Sequence, residues 1–170
     1  KPYHNNSRDC KMTESSLNDN TPPISINVLA QYLKDLSFER ALAPTSLLNR
    51  DLSPQIEVAI NVQAHNVEKE TFAVELQITA KAHHEKETLF HAELLYGGAF
   101  QLQNLPESQH AAFLFIEAPR LLFPFARQIL ASATRDGGFP PLYLEPIDFA
   151  QLYQARLAAA HTDSPRPPLN

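Results

Sequence analysis

The side chains with the chemistry to act are mostly carboxylates and histidines, and they fall on stretches where apolar and polar residues alternate. In such a stretch every second residue shares a face. On that parity Asp35, Glu39, Glu57, Glu75 and Glu93 all project to one polar face of a sheet. An array of this kind fits ordinary solvation or the docking of a basic partner segment. His83, His84 and His91 gather around a hairpin, with His65 on the same face. Two imidazoles on adjacent strands could share a metal ion or move a proton. No cysteine or second ligand motif accompanies them, so solvated histidines explain the pattern more simply. The chain carries no phosphate-cradling glycine loop, no G-x-S-x-G and no H-E-x-x-H, and it has 4 glycines in all. The expectation is a protein that is not an enzyme and takes no cofactor and no metal; a small enzyme using His83 or His91 is the competing reading.

A second set of residues could bind rather than react. Phe139, Leu142, Tyr143 and Leu144 flank two prolines, and Leu47, Leu48 and Leu52 lie in a stretch without periodicity. Such residues either pack a loop over the core or line an accessible apolar groove for extended peptide.

Composition narrows the classes. A chain of 170 residues with 44% apolar content is enough for one domain with a core. A net charge of −5 with no basic stripe excludes nucleic acid as the main partner. The single cysteine, Cys10, sits in a polar stretch, so there is no disulfide framework and a reducing compartment is expected. No apolar run approaches the roughly 18 residues of a membrane span, and the N-terminal stretch has no signal-like apolar region. The expected location is the cytoplasm, with no insertion into a membrane.

The elements that must position these residues follow from periodicity. Residues 1–23 are polar and end in a double proline, which reads as a disordered tail. From Ile24 a period of two runs through Ile26, Val28, Ala30 and Tyr32 and on to Leu36 and Phe38. Residues 40–55 form a loop or crossover. Strands follow over Ile56–His65, over Thr71–Ala82 and over Phe90–Tyr96, with a charged turn at Asn66–Glu70 and a short turn around Glu85–Glu87. A short loop in the last hairpin sets Thr79 opposite Glu93 and Lys81 opposite His91. Gly97–Gly98 marks a bulge or bend. After Pro106 the period becomes helical: a short helix over Glu107–Glu117, a central helix over Pro119–Arg135, and a last helix from Asp148 bearing Phe149, Leu152, Tyr153 and Leu157. Pro124 is expected to start or kink the central helix. Residues 161–170, with three prolines, are expected to be loose. Four consecutive antiparallel strands and then helices give an α+β layout, with the helices on one sheet face and the other face polar.

Four blocks together resemble SecB, the bacterial protein-export chaperone family: LKDLSFE at Leu33–Glu39, GGAF at Gly97–Phe100, PRLLFPFAR at Pro119–Arg127 and GFPPLYLEPIDFAQLY at Gly138–Tyr153. The resemblance spans roughly Ile24 to Leu157. It implies a four-stranded antiparallel sheet with one face packed by two main C-terminal helices, in a chaperone domain over residues 24–160. It also implies a homotetramer, a dimer of dimers, with the central helix between subunits; the oligomer interface would use Leu122, Phe125, Ile129 and Ala133. The implied function is an ATP-independent holdase that binds unfolded preproteins and delivers them to the SecA translocation ATPase. A specialised SecB-like chaperone for a narrow client, such as an antitoxin, is the alternative.

The family's motor-docking acids match Asp35, Glu39 and Glu93, and His91 joins them where the family commonly has leucine. Docking affinity or its pH dependence is therefore expected to differ. Client binding is assigned by the resemblance to Leu48, Leu52, Phe139, Leu142 and Tyr143. Leu52 stands where the family has a tryptophan, and Arg40–Ala43 replaces the family's A-P-N.

Overall fold

The computed structural model describes residues 22–40, 54–85 and 87–162, with backbone only for residues 161 and 162. The tail over residues 1–21, the crossover over 41–53 and the segment 163–170 lie outside the described residues. Four strands form one sheet: β1 (Ser25–Arg40), β2 (Gln55–Glu68), β3 (Thr71–His84) and β4 (Glu87–Gln103). Their order is β1-β4-β3-β2, and every pairing is antiparallel. Then come α1 (Glu107–Ala112), a π turn (Phe113–Glu117), α2 (Ala118–Asp136) and α3 (Phe149–Thr162).

The period-two reading of β3 holds residue for residue. Val74, Leu76, Ile78, Ala80 and Ala82 are buried toward the helices. The register sets Thr79 against Glu93 and Lys81 against His91. In β1 the alternation breaks twice, with bulges between Val28 and Ala30 and between Leu33 and Asp35. Each bulge moves the following residues to the opposite face. Tyr32 therefore lies on the outer face, over Gly97, instead of beside Ile26 and Val28. The second bulge restores the original parity, so Leu36 and Phe38 rejoin the helix face and Asp35 and Glu39 the outer one.

Gly97 and Gly98 lie within β4, which runs on to Gln103, and the register shift near them falls in β1. They are there for close approach. A Cβ on Gly97 would stand 2.8 Å from the Tyr32 ring, and one on Gly98 would stand 2.8 Å from Leu122 Cδ2. The sheet is thus thinned on both faces at one point, and α2 settles onto it there.

The helical region is also more continuous than its prolines suggest. α1 leads through the π turn directly into α2, and the Ala118 N–H reaches back five residues to the Phe113 carbonyl. Pro119, which has no N–H to give, comes next. The wide turn absorbs one residue and rotates the following face. α2 passes through Pro124 without starting there. The carbonyl that Pro124 leaves without a donor belongs to Arg120, on the exposed side of the helix where solvent serves it.

Leu122, Phe123, Ala126, Leu130 and Ala131 of α2 are buried. Leu121 and Phe125 are not, at 46% and 51% exposure. The broad apolar stripe is therefore divided: one edge packs on β4 and β3, and the other is largely uncovered, with Phe125 stacked at its margin on Tyr96 of β4, centroids 6.3 Å apart.

Thr134 pins the extended segment after α2. It is fully buried, its hydroxyl lies 3.1 Å from the Leu130 carbonyl and 3.0 Å from that of Ala131, and its oxygen accepts the Leu142 N–H at 2.9 Å. Thr134→Val keeps the shape but leaves the Leu142 N–H without an acceptor. A denaturant titration should show a loss of about 1–3 kcal/mol; an unchanged midpoint would mean that the segment is held by other contacts.

Candidate functional site

Two surfaces emerge, on opposite sides of the sheet. Among the described residues no helix packs on the outer face, and its central rows carry the acids. Reading across the strands, Asp35 pairs with Leu95, Ser37 with Glu93 and Glu39 with His91. Glu93 therefore sits on β4 level with the midpoint between Asp35 and Glu39. The latter two, four residues apart along β1, are separated by roughly 13 Å. Asp35 and Glu39 are exposed and Glu93 is half-buried.

The other acids of that face are engaged differently. Glu75 is buried and accepts a 2.5 Å bond from the Lys34 ammonium at the second bulge. That hydrogen bond, reinforced by the carboxylate charge, raises the Lys34 pKa above the usual lysine value. Glu75 is thus paired within the subunit. Glu57 lies 3.7 Å from His83.

His91 occupies a charged crossing. It stands between Glu39 on β1 and Lys81 on β3 in register, and its Nε2 is 3.2 Å from Glu93 Oε1. The alignment is too poor for a hydrogen bond, and this nitrogen is out of solvent without a hydrogen-bond partner. A shallow cavity of about 370 Å³ beside it is lined by Glu39, Arg40, Lys81, Thr88 and His91. His65 shares the outer face but pairs with Ala73, at the far end of the sheet from His91. Among the described residues, no three His, Cys, Asp or Glu side chains converge to hold a metal ion.

The helix side is apolar, and the expected client residues there do not form one patch. Phe139 is half-buried in an aromatic cluster, 5.0 Å from the Phe90 ring and 6.3 Å from Phe38, with the Arg40 guanidinium 5.5 Å from its ring centre. Leu142 is half-buried and tethered to Thr134. Tyr143 is 58% exposed, with Arg127 5.7 Å from its ring centre. Leu48 and Leu52 lie outside the described residues. Of the expected interface residues, Leu122 is fully buried against the subunit's own sheet, Ile129 and Ala133 are half-buried and Phe125 is exposed.

Around α2, the flanks of the sheet are bare. Ile26, Val28, Leu33 and Leu36 of β1 and Ile56 and Val58 of β2 turn toward the helix side, yet all are exposed. Sequence reasoning also missed a cavity of about 350 Å³ between β2 and α3, lined in part by Val62, Phe115, Leu152 and Tyr153. Phe115 stacks on Tyr153 with centroids 5.5 Å apart, because the π turn carries it around to face α3. A uniform helical period cannot anticipate that rotation. No helix among the described residues is long and apolar enough to cross a membrane.

Comparison with known proteins accords with this arrangement. The family model described as preprotein translocase subunit SecB matches residues 18–160. The protein-export protein SecB of Bartonella bacilliformis is 51% identical over 148 residues, covering 87% of this chain and 92% of the relative. That of Mesorhizobium japonicum is 55% identical over 134 residues, covering 79% and 80%. Among solved structures, a SecB-like chaperone of Mycobacterium tuberculosis in complex with a ChAD peptide from the HigA1 antitoxin superimposes with a TM-score of 0.61. It covers 72% of this chain and 90% of its own, at 15% identity, and so speaks for the fold. By its family match, its close relatives and its α+β sheet-and-helix layout, the chain belongs to the SecB family of protein-export chaperones.

Proposed function

We propose that the chain is a cytoplasmic, ATP-independent holdase that keeps preproteins unfolded and passes them to the SecA translocation ATPase. The observation that carries the reading is the separation of surfaces. Asp35, Glu39 and Glu93 share a face that no helix covers among the described residues, while exposed apolar residues collect on the helix side. Unfolded segments are recognised by apolar surface in a sequence-tolerant way, and a basic docking segment by carboxylates. The two tasks then need not compete for one site.

The working unit in this reading is a homotetramer, a dimer of dimers. Phe125, Ile129 and Ala133 lie on the side of α2 that the subunit leaves partly uncovered and would meet another subunit there, while Leu122 supports them from beneath. Client segments would contact Phe139, Leu142 and Tyr143, together with Leu48 and Leu52. Several weak sites on one assembly multiply for a client long enough to span them. The relatives that are half identical to this chain are named for protein export, which favours general export over a narrow antitoxin client.

The docking half of the proposal is tested by Asp35→Ala with Glu93→Ala. Affinity for SecA should fall, and the wild-type affinity should weaken as salt rises, because exposed charges are screened. Suppression of aggregation of an unfolded precursor, without ATP, should stay near the wild-type level. Equal loss of both activities, or of neither, contradicts the division of surfaces.

His91 belongs to the docking face in this reading. Its neighbours there are Glu93 and Glu39, which a basic segment needs, and Lys81, with Arg40 at the edge of the same cavity. His91→Leu, which puts back the residue common in the family, should change SecA affinity and leave aggregation suppression near the wild-type level. An unchanged SecA affinity would count against a part for His91 in docking.

A further inference from the structure

β2 is an edge strand of the sheet, and among the described residues no strand pairs with its outer side. Edges of this kind invite pairing with any extended chain unless something blocks them. An unfolded client is such a chain, so the state of this edge decides how a client can be held. One main-chain acceptor on the edge is already taken. The Arg156 guanidinium, carried by α3, donates from Nη1 to the Val62 carbonyl at 2.7 Å. The same guanidinium lies 5.1 Å from the centre of the Phe115 ring, which is itself stacked on Tyr153. Phe149, fully buried at the start of α3, anchors the helix that brings Arg156 to this place.

We propose that Arg156 closes the β2 edge to strand addition, so that an extended client segment enters the neighbouring cavity through its apolar side chains alone. The inference rests on the holdase reading and names the residue that sets the binding mode at this edge. A strand adding to β2 would bring its own N–H to the Val62 carbonyl. To do so it must displace a charge-assisted hydrogen bond and a cation–π contact together. The cavity itself asks for something else. Its volume is about 350 Å³, and its walls, apolar apart from Asn61, Arg156 and the Tyr153 hydroxyl, fit apolar or aromatic side chains. Side-chain reading tolerates varied sequences and releases the client without unzipping a ladder of main-chain bonds.

The test uses the full chain with two probes: a short fluorescent peptide rich in Leu and Phe, and the same peptide with alternate backbone amides N-methylated. N-methylation removes donors for strand pairing and leaves the side chains. Wild type should bind the two within about twofold. Arg156→Ala should prefer the unmethylated peptide by roughly 3–10-fold, the worth of one or two main-chain bonds. Arg156→Met should do the same; it retains a long stem over Phe115 and carries the test if the alanine variant fails to fold. Variants with the wild-type ratio, or a wild type that already prefers the unmethylated peptide by that factor, would overturn the proposal. Aggregation suppression by the wild type is measured separately. Its absence alongside a changed peptide ratio would defeat the holdase reading and leave the edge guard standing.

Discussion

An α-helix with its side chains is about 10 Å across, whereas four strands spaced about 4.8 Å apart make a sheet about 19 Å wide. One helix layer of this size cannot cover one sheet of that size, and most of what is distinctive about the subunit follows from the mismatch. α2 packs where it gains most, over β4 and β3, with Leu122 set into the space left by Gly98. The helix-side residues along much of β1 and at one end of β2 are left exposed, as are Leu121 and Phe125 on the far edge of α2. Burying such side chains is worth roughly 1.5–3 kcal/mol each. A surface with that much unspent apolar area is suited to association, with other copies of the chain, with unfolded clients, or with both in different places.

The same sheet keeps its other face for polar work. That face is organised by the two bulges of β1, whose effects cancel in parity but not in position. Between them Tyr32 crosses to the outer face and covers Gly97, and Lys34 reaches Glu75. Beyond them Asp35 and Glu39 return to the outer face beside Glu93. One bulge alone would have turned Asp35 and Glu39 toward the helices and dispersed the acidic group. Lys34 also engages Glu75, so the remaining carboxylate charge is concentrated near the β1–β4 seam.

Much of this was legible from residue patterns. β3 alternates cleanly, and its register with β4 follows from keeping like faces together in a tight hairpin, which fixed Thr79–Glu93 and Lys81–His91. Asp35 and Glu39 were placed on the correct face by a simple alternation that is wrong in the middle of β1 and right at both ends. Tyr32 was misplaced for that reason. The glycine pair reads as a bulge or bend because sequence shows missing side chains without showing that Tyr32 and Leu122 pack into the gap. Phe115 could not be aimed, since a single extra residue in a π turn rotates the helix behind it. The division of α2 into a buried and an open edge was equally hidden. Leu122 and Phe125 are both large and apolar, and only the width of the sheet distinguishes them. Leu48 and Leu52 fall outside the described residues, so their part in client binding rests on the family resemblance.

The central claim is that the uncovered apolar flanks and the open edge of α2 are covered by other subunits. The most direct measurement is the mass of the protein in solution by light scattering at micromolar concentration. The account predicts a tetramer that persists on dilution through that range. A stable monomer would contradict it, because the exposed residues around Phe125 and Leu36 would then have no subunit to cover them.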